Sequence, residues 1–86
     1  MNKILYFSAP WCGPCKMLGP KMDELAETIP VEKINIDGEE ELCERFEVRA
    51  VPTILIVDES GKVLNRIIGV KPVKEIKAIY ESFKSE

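Results

Sequence analysis

The stretch Trp11-Cys12-Gly13-Pro14-Cys15-Lys16 separates a short apolar run from a long segment with helical spacing. The run before it, Lys3 to Ser8, is almost continuously apolar, which predicts a buried strand. In residues 13–29 the apolar side chains recur at helical spacing, which predicts a helix that begins at the motif itself. Both cysteines therefore fall at a strand-to-helix junction.

This junction predicts different chemical roles for the two cysteines. The first turn of a helix carries unpaired N–H groups and a partial positive charge, and both stabilise a thiolate relative to the thiol. Cys12 enters that turn and is the predicted nucleophile. Cys15 lies one turn deeper, near enough to attack a mixed disulfide on Cys12, and we expect it to be better protected from solvent. The pair is typical of a dithiol that exchanges with disulfides.

The length of 86 residues predicts one domain, residues 1–86. An apolar fraction of 45% is typical of a soluble globular chain, and a net charge of −3 is too small to indicate a nucleic-acid or membrane partner. No apolar run approaches the ~20 residues that span a bilayer. Met1-Asn2-Lys3 leads into a run too short for a cleaved signal sequence, so we expect a cytoplasmic location.

Five further elements are predicted after the first helix. They are a strand at 31–36, a short acidic helix at 39–46, a strand at 54–57, a returning strand at 62–68 after a turn at 58–61, and a last helix near Pro72. The order strand, helix, strand, helix, strand, strand, helix predicts an α/β fold with helices on both faces of the sheet.

Four separated motifs carry a resemblance to a known family, since they keep their order and spacing. They are the hexapeptide with Phe7, Ala9 and Pro20 around it, Lys-Ile-Asn-Ile-Asp at 33–37, Val-Arg-Ala-Val-Pro-Thr at 48–53, and Gly69 after a strand pattern. In these motifs the chain resembles the thioredoxin family over nearly its whole length.

The resemblance implies a thioredoxin fold, βαβαββα, with a central four-stranded mixed sheet flanked by three helices. The chain resembles a small, minimal thioredoxin that lacks the leading strand and helix of longer members. We therefore expect one edge of the sheet, at the second strand, to be less covered than in those relatives.

The same resemblance implies roles for residues around the cysteines. Gly-Pro between the cysteines resembles the reducing members of the family. Pro52 is implied to follow a cis peptide bond, and Val51 to pair with an extended target peptide. The residues implied to tune the redox pair or to dock the target are Trp11, Gly13, Pro14, Lys16, Val51, Pro52, Thr53 and Gly69.

One departure from the family concerns the proton of the resolving cysteine. Thioredoxins usually carry a buried aspartate six residues before the first cysteine, where this chain has Tyr6. Lys33 matches the lysine that usually accompanies that acid, and the chain has no histidine. We hypothesise that water or the Lys33 amine serves as the base for Cys15, with slower release of the mixed disulfide. Tyr6 and Lys33 thus form the predicted proton-transfer environment.

The predicted function is reduction of protein disulfides through Cys12 and Cys15. Disulfide-containing proteins are the expected substrates, and a thioredoxin reductase or another dithiol-reducing system is the expected electron donor. We expect a monomeric electron carrier with no cofactor and no nucleic-acid or membrane partner. Two alternatives stay open, a glutaredoxin-like, glutathione-coupled reductase and a thioredoxin-fold binding subunit with incidental redox activity. Gly-Pro between the cysteines disfavours the glutaredoxin-like alternative.

The sequence predicts no metal site and a packing role for the third cysteine, Cys43. One Cys-x-x-Cys pair, a distant Cys43 and no histidine are too few ligands for a four-coordinate zinc site, so no metal is expected. Cys43 is predicted to be a small buried apolar residue of the second helix, with a regulatory thiol as the alternative.

Overall fold

A computed structural model describes residues 1–83. Its seven elements follow the predicted order, with helix and strand ends that differ from the predicted ones by a few residues. They are β1 (Lys3–Ser8), α1 (Gly13–Leu25), β2 (Val31–Asn35), α2 (Glu40–Arg45), β3 (Thr53–Val57), β4 (Val63–Ile68) and α3 (Val73–Ser82).

The four strands form one mixed sheet in the order β2-β1-β3-β4. β1 pairs with β2 in parallel, while the β1–β3 and β3–β4 pairs are antiparallel. The predicted thioredoxin fold is therefore confirmed, and β2 is an edge strand as expected. Because β1 is an inner strand, the chain that leaves its C-terminal end delivers the two cysteines to the middle of one end of the sheet.

Alternation along β1 explains why helices cover both faces of the sheet. Ile4 and Tyr6 belong to a core with side chains of α1 and α3. Leu5 and Phe7 point the other way, into a second core against α2. All four side chains are at most 4% exposed, which accounts for the nearly continuous apolar run in the sequence.

The first helix ends earlier than its apolar spacing predicts. α1 stops at Leu25 rather than near Ile29, because Glu27 and Thr28 close tight turns instead of continuing the helix. Ile29 still donates its backbone N–H to the Leu25 carbonyl at 3.0 Å and is buried. The apolar stripe that carried the prediction is therefore real, but its last member packs from a turn.

The short helix α2 is held by contacts beyond its own six residues. The ring of Phe46 meets the ring of Phe7 edge-on, with centroids 6.1 Å apart. Arg66 of β4 donates to the carbonyls of Phe46 at 2.7 Å and Glu47 at 3.4 Å, so a guanidinium satisfies backbone groups where the helix ends. These contacts anchor the segment that leads into residues 48–53.

The turn between β3 and β4 predicts an acid-sensitive contribution to stability. Asp58 accepts hydrogen bonds from the Ser60 hydroxyl and from the backbone N–H groups of Ser60 and Lys62. The Ser60 hydroxyl, first among these causes, lowers the pKa of the Asp58 carboxyl in the folded state. Because the pKa of Asp58 is lower in the folded state than in the unfolded state, its ionised carboxyl contributes to the free energy of unfolding. This contribution is complete above the unfolded pKa of about 3.9 and is lost as the pH falls through the folded pKa.

We therefore expect the parent to lose more unfolding free energy than Asp58→Asn when the pH is lowered below about 4. Urea unfolding at a series of pH values measures this difference. Glu27→Gln is the control, because removing that exposed carboxylate should leave the pH dependence of the unfolding free energy as it is in the parent. Parallel curves for the parent and Asp58→Asn would contradict the role of Asp58.

No helix among residues 1–83 is both long and apolar enough to cross a membrane.

Candidate active site

The two cysteines occupy the N-terminus of α1. Cys12 is the N-cap residue, with an extended backbone at φ −88° and ψ 113°. Its Sγ accepts a hydrogen bond from the backbone N–H of Cys15 at 3.2 Å, so a sulfur takes the place of a capping oxygen. Pro14 follows within the first turn, where no backbone N–H is needed. The helix start predicted at the motif is therefore confirmed.

The two sulfurs are bonded to each other as a disulfide. The Cα atoms of Cys12 and Cys15 lie 5.3 Å apart, inside the usual range for a disulfide of about 4.4 to 6.8 Å. The expectation that Cys15 is better protected is wrong for this disulfide form, since each residue is 5% exposed. The disulfide draws both sulfurs into one small cluster with Ala9, against which Ile36 and Val51 pack.

Three separate segments meet beside the disulfide. The Val51–Pro52 peptide bond is cis, as the resemblance implies. The Thr53 hydroxyl donates to the Ala50 carbonyl at 2.6 Å and so closes the loop that contains this cis bond. Gly69 donates its N–H to the Pro52 carbonyl at 2.9 Å, with a φ of +93° that a residue with a side chain rarely adopts.

Apolar side chains around this junction are unusually exposed. Trp11, next to Cys12, is 65% exposed, and its indole N–H donates to Asp37 at 3.3 Å. Ile68 and Val70, on either side of Gly69, are 65% and 57% exposed. We call Trp11, Val51, Ile68, Gly69 and Val70 the docking surface, after the role that the resemblance implies for Trp11, Val51 and Gly69. A scattered exposed apolar residue is ordinary, whereas Trp11, Ile68 and Val70 are all more than half exposed.

Sequence reasoning missed Asp37, Ile68 and Val70. A signal for Ile68 was available, since period-two alternation puts it on the opposite face from Ile67, which is buried. The contact between Asp37 and Trp11 joins residues 26 apart in the chain, and no local pattern predicts it.

Tyr6 of β1 and Lys33 of β2, the predicted proton-transfer residues, line one cleft together with Cys15. Tyr6 is completely buried, and its hydroxyl donates to the Cys15 carbonyl at 3.2 Å. Burial is the largest cause that raises the pKa of the Tyr6 phenol, so Tyr6 is neutral at physiological pH. Lys33 pairs with Asp23 of α1 at 2.9 Å, and both side chains are about half exposed.

The other residues singled out from the sequence are exposed or partly buried. Gly13 and Pro14 are exposed between the cysteines. Lys16 is also exposed, and its backbone N–H donates to the Cys12 carbonyl at 3.3 Å. Cys43 is partly buried and packs against the second core, and burial followed by nearby glutamates raises the pKa of its thiol. Residues 1–83 contain no group of three or more His, Cys, Asp or Glu that could hold a metal ion.

This geometry defines a class of protein. Two sulfurs that can bond to each other sit at a helix N-terminus, and a cis-proline loop and an exposed apolar surface adjoin them. Such a site takes up and gives back two electrons by closing and opening one S–S bond. The fold and the site together are those of a dithiol–disulfide oxidoreductase.

Comparison with known proteins identifies the family. The Thioredoxin family model matches residues 2–82, and the chain belongs to the thioredoxin family. The thioredoxin of Haemophilus influenzae is 38% identical over 77 residues, which cover 85% of this chain and 71% of that protein. The mitochondrial thioredoxin of Mus musculus is 34% identical over 79 residues, which cover 87% of this chain and 47% of that protein, so the chain spans about half of that relative.

The solved structures agree with this assignment. A mutant thioredoxin from Halobacterium salinarum matches with a TM-score of 0.90 and 32% identity, over 99% of this chain and 76% of that one. The thioredoxin of Fasciola hepatica matches with a TM-score of 0.86 and 29% identity, over 96% of this chain and 81% of that one.

Proposed function

We propose that this chain reduces disulfide bonds of other proteins, with Cys12 as the attacking thiol and Cys15 as the resolving thiol. The observation that carries the proposal is the hydrogen bond from the Cys15 N–H to the Cys12 sulfur at the helix N-cap. The same helix end that caps on sulfur favours a negative charge there. Roles of Gly13, Pro14 and Lys16 in tuning the pair remain part of this proposal.

Electrons and protons balance over two exchanges. The Cys12 thiolate attacks one sulfur of the target disulfide, which forms a mixed disulfide and releases the first target thiolate. Cys15 then loses its proton and attacks the Cys12 sulfur, which forms the Cys12–Cys15 bond and releases the second target thiolate. Two electrons pass to the target, and both released thiolates take up protons from solvent.

Thiol acidity supplies only a small part of the rate. A thiol whose pKa falls from about 8.5 to about 7 becomes about 15-fold more ionised at neutral pH. Its thiolate also becomes about fivefold less nucleophilic, so the net gain is about threefold. Placing Cys15 for the second attack and docking the target must therefore supply most of the advantage.

We infer that residues 1–86 act as one thioredoxin-like domain, a monomeric electron carrier in the cytoplasm. Disulfide-containing proteins are its substrates, and a thioredoxin reductase or another dithiol-reducing system returns it to the dithiol form. The family match over residues 2–82 supports the single domain, the class of substrate and the need for a reducing partner.

The midpoint potential of the Cys12–Cys15 pair, measured against a glutathione buffer, tests the direction of electron flow. A value near −270 mV, as in thioredoxins, supports a reductase, whereas a value near −120 mV would make the protein an oxidant. Insulin reduction with each candidate donor then separates the alternatives. Activity that depends on glutathione alone would favour the glutaredoxin-like function, and binding without activity would favour the binding subunit.

The docking surface predicts a defect that depends on substrate size. In Ile68→Ser we expect the KM for insulin to rise about threefold to tenfold, because an exposed apolar contact with the target is lost. The rate with dipyridyl disulfide, which is too small to reach Ile68, should change by less than about twofold. Steady-state kinetics with both substrates measure the two effects.

Phe83→Ser is the matched control for this experiment. Phe83 is also an exposed apolar residue, but its carbonyl binds Asn2, at the opposite end of β1 from the cysteines. Its KM for insulin should equal that of the parent. An equal rise in both variants would show that general surface apolarity, rather than the docking surface, governs the KM.

A further inference from the structure

A cleft of about 240 Å³ leads away from the docking surface at Ile68. Its lining also includes Arg66, Arg49 and Glu47. A second cleft, of about 340 Å³, shares Arg66 and Glu47 with the first and extends to Arg45 at the end of α2. We call the two clefts together the arginine groove. The groove is therefore continuous with the docking surface through Ile68.

The pairing of β4 with β3 explains why an arginine follows an apolar side chain in this groove. Arg66 lies opposite Leu55, and Ile68 lies opposite Thr53. Arg66 and Ile68 are two residues apart in one strand, so their side chains share a face, about 7 Å from each other along it. An extended segment that contacts Ile68 can therefore also reach the guanidinium of Arg66.

The charge of the groove differs in sign from the charge of the whole chain. The groove contains three arginines and one glutamate, whereas the chain has a net charge of −3. Within residues 1–83 the ion pairs use lysine ammonium groups and the amino terminus, and none uses an arginine. Cations without a carboxylate partner beside a docking surface are complementary to an acidic ligand.

Two of these arginines are already held in place. The guanidinium of Arg66 donates to the carbonyls of Phe46 at 2.7 Å and Glu47 at 3.4 Å. Since a guanidinium has five N–H donors in a planar fork, further donors stay free for a carboxylate. The guanidinium of Arg45 lies over the Phe46 ring, 5.8 Å from its centroid. Side chains that are ordered before binding lose less conformational freedom when a ligand arrives.

Other acidic side chains lie beside Arg49 rather than beside the other two arginines. Glu40 and Glu44 of α2 line a separate cleft together with Arg49, and neither Arg45 nor Arg66 lines that cleft. These carboxylates offset the charge of Arg49. The positive part of the groove therefore runs along β4 to the C-terminal end of α2.

We propose that the arginine groove selects protein disulfides that are flanked by an acidic segment, with Arg66 and Arg45 as specificity-determining residues. This proposal rests on the proposed function and names the class of target. An apolar side chain of the target contacts Ile68, and carboxylates further along the same segment lie against the two guanidinium groups. The attraction acts on docking, so it raises the rate at low target concentration and leaves the exchange at Cys12 unchanged.

The test compares two synthetic peptides, each closed by one disulfide, that differ only in the residues flanking the two cysteines. These residues are glutamate in one peptide and glutamine in the other. The protein is reduced beforehand and freed of reductant, and the peptide thiols that it forms are alkylated and counted by mass spectrometry. At low salt we expect the glutamate peptide to react about fivefold faster, and the preference should fall below about twofold at about 0.5 M salt because of screening.

The two peptides also separate this proposal from the proposed function. If neither peptide is reduced, the proposed function is overturned. If both are reduced at equal rates at low salt, or the glutamine peptide faster, only the selection of acidic targets is overturned.

In Arg45→Gln we expect the rate with the glutamate peptide to fall about twofold to fivefold at low salt. The rates with the glutamine peptide and with dipyridyl disulfide should change by less than about 1.5-fold. Arg66→Gln should lower the same rate, but Arg66 also binds carbonyls at the end of α2, so urea unfolding must accompany that variant. An unchanged peptide preference in Arg45→Gln would overturn the proposal.

Glu47→Gln supplies an effect of opposite sign. It removes the one carboxylate of the groove, so the rate with the glutamate peptide should rise, again by about twofold to fivefold. Damage to the fold would not produce a rise for one peptide alone. A fall in this rate, or an equal rise with both peptides, would count against the groove.

The matched control is Lys77→Gln. Lys77 is an exposed cation of α3, which packs against the first core, whereas the groove lies beside α2 and the second core. The variant changes the net charge by the same amount as Arg45→Gln, so its peptide preference should match that of the parent. An equal loss in both variants would mean that net charge, rather than the arginine groove, selects the target.

Discussion

Serine in place of Cys12 is expected to abolish disulfide reduction, with a loss of at least about a thousandfold in an insulin assay. A serine hydroxyl stays protonated at neutral pH and cannot form the mixed disulfide. Cys15 alone cannot sustain turnover, because without Cys12 there is no second thiol to resolve a mixed disulfide.

Cys15→Ser should also abolish turnover, but it should leave a different product. The first exchange remains possible, so the variant is expected to accumulate as a mixed disulfide with its target. Intact-mass measurement detects the added mass, and a reductant removes it. Cys43→Ser is the control, because Cys43 lies in α2, packs against the second core and takes no part in the Cys12–Cys15 disulfide, so this variant should keep full activity. Trapping in Cys12→Ser instead would reverse the assigned roles.

Alanine in place of Phe7 is expected to cause a large loss of unfolding free energy. The Phe7 side chain is completely buried in the second core, beside Phe46, and its removal leaves a cavity there. Such truncations cost about 3 to 5 kcal/mol, against a total stability of about 5 to 15 kcal/mol for a domain. Urea unfolding should therefore show Phe7→Ala as partly unfolded or much less stable than the parent.

The Phe7 ring also helps to anchor the segment that contains α2. None of the six residues of α2 is fully buried; Leu42 and Cys43 pack against the second core, and Phe46, just after the helix, packs against Phe7. Phe7→Leu keeps most of the buried area but loses the edge-on ring pair, and about 1 kcal/mol should be lost. Met17→Ala is the control, since Met17 is 74% exposed and should change stability by less than about 0.5 kcal/mol. A Phe7→Ala loss below about 1 kcal/mol would contradict the anchoring role.

Much of the fold could be predicted because its signals are local. The apolar run of β1 and the helical spacing of Leu18, Met22 and Leu25 each reflect burial that repeats along one element, and all of these side chains are buried. The ends of elements were less predictable. α1 stops at Leu25 while Ile29 remains buried, because burial and helical hydrogen bonding are separate requirements.

The sequence by itself determined the Cys-x-x-Cys pair at a helix start and the order of the elements, because each depends on neighbours within a few residues. It also determined the family resemblance, because four separated motifs keep their order and spacing. Only the tertiary structure decided the equal burial of Cys12 and Cys15, the exposure of Val70 beside Gly69 and the pairing of Lys33 with Asp23. The Lys33–Asp23 pair, for example, joins β2 to α1. Contacts between distant segments depend on sheet register and helix packing, which local patterns of residues do not encode.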